Sequence, residues 1–207
     1  MKKNDCERNA SFRFLKDLKK EHPKLKVTVT ADALYANSPF INKLHSLCYH
    51  FIIRVKSSGN KFLFEWLKGI DLQEETIKIR NNKYYFRFID NIPLNDTKDS
   101  PEVHFLECEA IEQKGKKIKK TKFHWVTNHK IEKSNLYNLM LGGRARWKIK
   151  NETFNTLKNQ GYQFEHNFGH GNKNLYTIFS FMMMLAFFID QIQELTSGFS
   201  NSRKIIY

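Results

Sequence analysis

In residues 25–44, "LKVTVTADALYANSPFINKL", a strand pattern passes directly into a helix pattern. Residues 25–30 alternate apolar and polar side chains and contain several β-branched residues, which predicts a strand. The segment that begins with Ser38 has a capping residue followed by proline, a combination typical of a helix start. A second buried strand is predicted over residues 49–56, and an amphipathic helix over residues 5–21. This order of helices and strands favours an α/β fold with a parallel sheet.

The pattern changes between residues 57 and 133. Short β-type runs, "FLFEWL", "TIKIR", "KYYFRFI", "VHFLECEAI" and "KFHWVTN", alternate there with turn residues. They predict an antiparallel β insertion. Within it, residues 114–122, "KGKKIKKTK", concentrate positive charge on a predicted hairpin tip. That tip is either a solvated loop or a loop that contacts phosphates.

Helical patterns return in residues 134–207. The sequence predicts a short helix that ends at Gly142 and Gly143, and a second helix over residues 144–160. The apolar run over residues 175–189 is shorter than the roughly 20 residues that a membrane-spanning helix needs. We therefore predict a buried core helix there, and no membrane partner.

These patterns divide the chain into three predicted parts. They are an α/β core part over residues 1–56, a β-rich insertion over residues 57–133, and a helical core part over residues 134–207.

The composition points to an anionic partner. The chain of 207 residues has 35 Lys and Arg against 21 Asp and Glu, a formal net charge of +14. Such an excess attracts polyanions, so nucleic acid is the first partner class to consider, and a solvated basic surface is the alternative. The three cysteines are widely spaced and odd in number, which predicts reduced thiols and a cytoplasmic protein.

Two carboxylates are candidates for chemistry. Asp32 directly follows the first predicted strand, at the carboxyl end where α/β sheets place their sites. Glu152 lies on the predicted helix over residues 144–160, with Lys148 one turn before it. Asp32 could instead cap the next helix, and Glu152 could form an ion pair within its own helix. As metal ligands, the two carboxylates would serve two-metal phosphoryl transfer.

The chain also resembles the C-terminal portion of bacterial DDE insertion-sequence transposases. The residues that carry the resemblance are "LKVTVTADALYANSPFINKL", "GGRARWKIKNETFNTLKNQGYQFEHNFGHG" and "FSFMMMLAFFIDQIQEL". The resemblance implies a ribonuclease H-like core, truncated at its N-terminal strands and interrupted by the antiparallel β insertion. It also implies magnesium-dependent cleavage of DNA phosphodiesters and strand transfer.

The same resemblance implies roles for particular residues. Asp32 and Glu152 would be catalytic and would bind magnesium. The first Asp of the family is absent, and Lys150 stands where the family pattern places its Glu. The residues implied to contact DNA are Arg144, Arg146, Lys148, Lys158, Lys116, Lys117, Lys119 and Lys120.

The function implied by the resemblance is that of a transposase fragment that is inactive on its own. Its expected partner is DNA, the terminal repeats of an insertion sequence, and a homodimer is a further expectation. Two alternatives stay open at this point. The chain could instead be a non-enzymatic basic DNA-binding remnant, or an enzyme that is active only when an upstream fragment completes it.

Overall fold

The chain forms a six-stranded mixed sheet with helices, which confirms the coarse α/β class. A computed structural model describes residues 6–114, 117–166, 169 and 173–197. It divides into two compact units, Met1–Arg146 and Trp147–Tyr207. The predicted boundaries after residues 56 and 133 stay predictions.

The first unit holds the whole described sheet. Its strands are β1 (Thr28–Ala31), β2 (His50–Arg54), β3 (Gln73–Ile79), β4 (Asn82–Pro93), β5 (Glu102–Lys114) and β6 (Lys117–Thr127). The helices that begin in it are α1 (Glu7–Glu21), α2 (Ser38–Ser46), α3 (Lys61–Trp66) and α4 (Leu136–Lys148), with short 3₁₀ turns over Ala33–Tyr35 and Leu67–Gly69.

The strand order is β1-β2-β6-β5-β4-β3. Strands β1 and β2 are parallel, as predicted, and the other neighbouring pairs are antiparallel. Strand β6 hydrogen-bonds to β2, so the strands predicted as an insertion continue the same sheet.

Each face of the sheet packs against helices. Helices α1, α2 and α3 cover part of what we call the first face, and α4 packs on the second face. The first core includes Phe40, Ile41, Leu44, Leu63, Ile53 and Phe105, and the second includes Phe86, Leu106, Trp125, Leu136 and Met140. Strand alternation explains the division, because successive side chains of a strand point to opposite faces.

Helix α4 passes through Gly142 and Gly143 without ending, so the predicted helix end at these glycines is wrong. A Cβ built on Gly143 would lie 2.5 Å from the ring of Trp125, and one on Gly142 would lie 2.8 Å from Cδ1 of Ile52. The two glycines let the helix backbone approach the second face closely. Their role is packing and not helix termination.

The segment "FLFEWL" is helix α3, so its prediction as a strand is wrong. Its aromatic residues favour a strand locally. The buried positions favour a helix instead, because Leu63 and Leu67 are spaced by one helical turn and both are buried in the first core.

The cap of α2 also differs from the prediction. Asn37, and not Ser38, is the capping residue, and its side-chain oxygen accepts a hydrogen bond of 3.1 Å from the backbone N–H of Phe40. The residues expected to cap α1, Asn4 or Asp5, lie outside the described residues.

The second unit is helical in its described part. A π-helix over Ile149–Phe154 and α5 (Asn155–Asn159) follow α4, which agrees with the helix predicted over residues 144–160. Helix α6 covers Leu175–Ser197.

Helix α6 is confirmed as a helix, but its prediction as a buried core helix is wrong. Within it, Phe181 is 69% and Leu185 58% exposed, and none of its described residues is buried. Its ring contact within the second unit is between Phe187 and Tyr162, with centroids 5.7 Å apart. By length and composition Leu175–Thr196 could cross a membrane, a test that core helices of soluble proteins also pass.

Candidate functional site

Asp32 lies directly after β1, at the carboxyl end of the strand, as predicted. Its Oδ1 accepts a hydrogen bond of 3.0 Å from the backbone N–H of Leu34, so the side chain caps the following 3₁₀ turn. Its Oδ2 lies 3.8 Å from Nη1 of Arg146. Both oxygens therefore face donors, which is the environment of a structural carboxylate. A catalytic role for Asp32 stays a prediction.

Glu152 lies in the π-helix of the second unit, two residues after Lys150. It lines a cleft of about 1400 Å³ with Asp190, Glu194 and several amide side chains of the same unit. Asp190 accepts a hydrogen bond from the hydroxyl of Tyr162.

The implied magnesium ion has no matching cluster in the described part of the chain. No group of three or more His, Cys, Asp or Glu side chains is placed there to hold a metal ion. Asp32 and Glu152 lie in different units, and the charged partner of Asp32 is the guanidinium of Arg146. Magnesium binding by Asp32 and Glu152 stays a prediction.

Arg144, predicted to contact DNA, is engaged within the first unit. Its Nη1 lies 2.6 Å from Oε1 of Glu112, and its guanidinium carbon lies 5.3 Å from the ring centroid of Phe123. The hydrogen bond to Glu112 is the main reason why the pKa of Arg144 is raised. This arginine helps to fix α4 on the second face of the sheet.

The other residues predicted to contact DNA lie in several parts of the chain. Lys148 is exposed at the end of α4, and Lys158 pairs with Glu165 in the second unit. Lys116 lies outside the described residues.

Three of the predicted lysines lie on β6. Lys117 and Lys119 are exposed and share the second-face register of β6 with Trp125. Lys120 belongs to the first face and pairs with Glu109. The hairpin lysines are therefore divided between the two faces of the sheet.

A second set of basic residues lies on the first face, where β3 to β6 extend away from the helices. Lys78 of β3 stands directly opposite Lys83 of β4, and both side chains are exposed. Tyr85 and Arg87 follow on the same side of β4. We call this surface the basic sheet face: Lys78, Lys83, Tyr85, Arg87, Lys120 and Lys122, with Glu74, Glu107 and Glu109 between them.

Glu107 organises one end of the basic sheet face. It is 8% exposed and accepts contacts from His124 at 3.0 Å, Lys122 at 2.9 Å and Arg87 at 3.5 Å. Burial by itself raises the pKa of Glu107, but the hydrogen bonds and charges of His124 and Lys122 outweigh it and lower the pKa to about 2. Glu107 is therefore ionised at neutral pH and holds the surrounding cations in place.

A cleft of about 360 Å³ lies beside the basic sheet face and is lined in part by residues of α3. Its apolar walls include Phe64, Leu72 and Phe105, and Lys61 and Lys68 also line it. Arg87 and Glu107 belong both to this α3 cleft and to the basic sheet face. The two features therefore form a continuous surface within the first unit.

The sequence prediction missed the members of the basic sheet face on β3 and β4. The signal was the alternation in "KYYFRF", where Tyr84, Phe86 and Phe88 are buried and the intervening residues are exposed. An alternating strand with Lys83, Tyr85 and Arg87 on its polar side has a basic and aromatic surface.

No protein-family model matches the chain, and no curated protein matches it. Among solved structures, it is similar to an S-adenosylmethionine-dependent methyltransferase from Clostridium acetobutylicum, with 10% sequence identity and a TM-score of 0.23. The match covers 58% of this chain and 48% of the methyltransferase chain, so it spans less than half of that protein. A likeness of this size assigns neither a fold nor an activity.

The comparisons contradict the prediction of a DDE transposase. No family model, of a transposase or of any other protein, matches the chain, and no curated protein matches it. Transposition and DNA recombination are withdrawn together with that prediction. The first residues of "GGRARWKIKNETF", which carried the resemblance, have roles in packing. Gly142 and Gly143 allow α4 to approach the sheet closely, and Arg144 pairs with Glu112.

Proposed function

We propose that the first unit binds nucleic acid through the phosphate backbone, and that the basic sheet face is the contact surface. The proposal concerns binding, and it invokes no metal ion. A ribonuclease H-like core, a homodimer and a cytoplasmic location stay predictions that it does not require.

The charge of the first unit supports an anionic partner. Residues 1–146 contain 29 Lys and Arg against 17 Asp and Glu, whereas residues 147–207 contain six against four. Most of the excess positive charge therefore belongs to the unit that carries the sheet. Phosphate contacts from Lys and Arg supply most of the affinity in sequence-independent nucleic-acid binding.

The observation that carries the proposal is the pair of Lys78 and Lys83. They are direct cross-strand neighbours, and such neighbours have Cβ atoms about 4.5–5.5 Å apart. Neither lysine has an ion pair within the described part of the chain. Like charges placed directly opposite each other destabilise a sheet. An anion bound between the two ammonium groups would remove that repulsion.

The basic sheet face extends beyond this pair. Lys83 lies opposite Ile111, which in turn lies opposite Lys120, so one row crosses four strands. Three strand spacings of about 4.8 Å give this row a length of roughly 14 Å. A strand of DNA carries one phosphate per roughly 3.4 Å of helix axis, so the row can meet several phosphates.

The test is equilibrium binding of a fluorescently labelled oligonucleotide, followed by anisotropy over a range of salt concentrations. The Lys78→Glu/Lys83→Glu variant is expected to bind at least tenfold more weakly. It should also lower the steepness of the plot of log K against log salt by about 1.5, because two phosphate contacts are lost.

The matched control is Lys24→Glu/Lys26→Glu, which makes the same charge change at two exposed lysines of the loop before β1. This control should retain more of the affinity and of the salt dependence. Equal losses in both variants would show that net charge alone drives binding, and the proposal would then be wrong.

A further inference from the structure

We infer that the bound nucleic acid is single-stranded, and that one base stacks on Tyr85. This inference rests on the proposed function, since it names the form of nucleic acid that the basic sheet face accepts. It depends on an exposed aromatic ring among cations, a feature that phosphate binding alone does not need.

Tyr85 is the outward-facing aromatic residue of β4. Tyr84, Phe86 and Phe88 of the same strand are buried on the second face, whereas Tyr85 is 40% exposed on the first. It has no hydrogen bond or ring contact to another described residue. Its side chain is therefore available to a ligand in the free protein.

The neighbours of Tyr85 leave its ring accessible and place positive charge beside it. Across the sheet it lies between Thr76 of β3 and Glu109 of β5, neither of which is aromatic. Along β4 it is flanked by Lys83 and Arg87, each two residues away on the same face. Two residues of a strand span about 6.8 Å, so both cations lie within reach of the phosphates that adjoin a stacked base.

Arg87 is held in position by carboxylates on both sides. Its Nε lies 3.4 Å from Glu74 of β3, and its Nη1 lies 3.5 Å from Glu107 of β5. It also lines the α3 cleft, whose apolar walls include Phe64 and Leu72. The surface beside Tyr85 is therefore concave and partly apolar, and a nucleotide next to the stacked base can leave the plane of the sheet.

A duplex fits this arrangement poorly. Its bases are paired and stacked on one another, so their faces cannot reach a ring on a sheet surface, whereas the bases of a single strand can unstack onto aromatic side chains. Cations along the backbone together with an aromatic stacking platform are the usual combination in proteins that bind single strands. The chemical class of ligand is thus a single-stranded DNA or RNA segment.

The experiment compares one labelled oligonucleotide as a single strand and as a duplex, with the full chain and variants at Tyr85. We expect the wild-type chain to prefer the single strand. Tyr85→Leu should weaken single-strand binding about tenfold, which corresponds to about 1.4 kcal/mol, and should change duplex binding less than twofold. Tyr85→Phe keeps the ring and should retain wild-type affinity.

Two controls make the result interpretable. Phe14→Leu removes a different exposed aromatic ring, one on α1 that is 63% exposed, and should change nothing. Tyr85→Thr matches the Thr76 side chain across the strands, and it replaces Tyr85→Leu if urea unfolding shows that the leucine variant is destabilised.

The salt dependence separates this inference from the proposed function. Loss of stacking should leave the dependence on salt unchanged, whereas the Lys78→Glu/Lys83→Glu variant should reduce it. If both nucleic acids bind equally and Tyr85→Leu is without effect, the inference is wrong while backbone binding stands. If neither nucleic acid binds, the proposed function itself fails.

Discussion

At the scale of single residues, Glu107 shows how a buried carboxylate fixes a charged surface. One acidic side chain on β5 meets His124 and Lys122 on β6 and Arg87 on β4. Removing a partner from a nearly buried ion pair leaves a desolvated charge without compensation. Glu107 is therefore expected to stabilise both the sheet and the arrangement of the cations on the basic sheet face.

This role predicts a pH dependence of stability. The pKa of Glu107 is lowered in the folded chain to about 2, from an ordinary value of 4.5. A lowered carboxyl pKa stabilises the fold above the unfolded-state value, and this stabilisation is lost as the pH falls from 4.5 towards 2. A shift of this size corresponds to roughly 3 kcal/mol at neutral pH.

Urea unfolding of the wild type and of Glu107→Gln between pH 7 and pH 2 measures the effect. The variant should be less stable at pH 7, and the difference from the wild type should shrink below pH 4.5. Glu74→Gln is the control, because Glu74 also contacts Arg87 but its side chain is 73% exposed. A difference for Glu107→Gln that stays constant with pH would contradict this assignment.

At the scale of elements, the contact of α4 with the sheet gives the next prediction. Gly143→Ala would place a Cβ against the ring of Trp125, which is 2% exposed and cannot move freely. Overpacking of this kind costs about 1–3 kcal/mol. We therefore expect a net loss of stability, although alanine in place of glycine within a helix is by itself favourable by about 1 kcal/mol.

The measurement is the free energy of unfolding in urea. Gly69→Ala is the matched control, since a Cβ there meets nothing within 4 Å. Gly143→Ala should destabilise the chain, and Gly69→Ala should not. A stabilised Gly143→Ala variant would show that α4 does not approach the sheet as closely as described.

The elements also show what sequence patterns can predict. Strands β1, β2 and β4 have alternating or continuous apolar patterns that specify strands without knowledge of tertiary contacts. Helix α3 was missed because six residues are too few for periodicity to outweigh their strand preference. The glycines of α4 were misread because a glycine pair ends a helix or permits close packing, and only the position of Trp125 distinguishes the two.

At the scale of the whole molecule, composition predicted a class of partner but not the surface that would bind it. The excess of Lys and Arg is visible in the sequence. Its arrangement depends on strand register, which brings Lys78 and Lys120 into one row although two other strands lie between them. Strand pairing over such distances is not encoded in any local pattern, so the members of the basic sheet face on β3 and β4 were not predicted.

Asp32 and Glu152 also show what local patterns can and cannot specify. Each stands where local patterns place functional carboxylates, but they belong to separate compact units. The side chain of Asp32 accepts a hydrogen bond from Leu34 and lies beside Arg146. Local sequence identified an ordered carboxylate at the end of β1, and the partners of that carboxylate could be seen only in three dimensions.

The opposed lysines of β3 and β4 have a consequence for the free protein. Lys78 and Lys83 are a locally frustrated pair, because the strand register that the cores require forces two like charges together. Dissolved salt should therefore raise the melting temperature of the free chain, because it screens the repulsion between the two lysines. The same salt should lower the affinity of the chain for a polyanion. Lys78→Thr relieves the frustration, so its melting temperature should exceed that of the wild type at low salt and approach it at high salt.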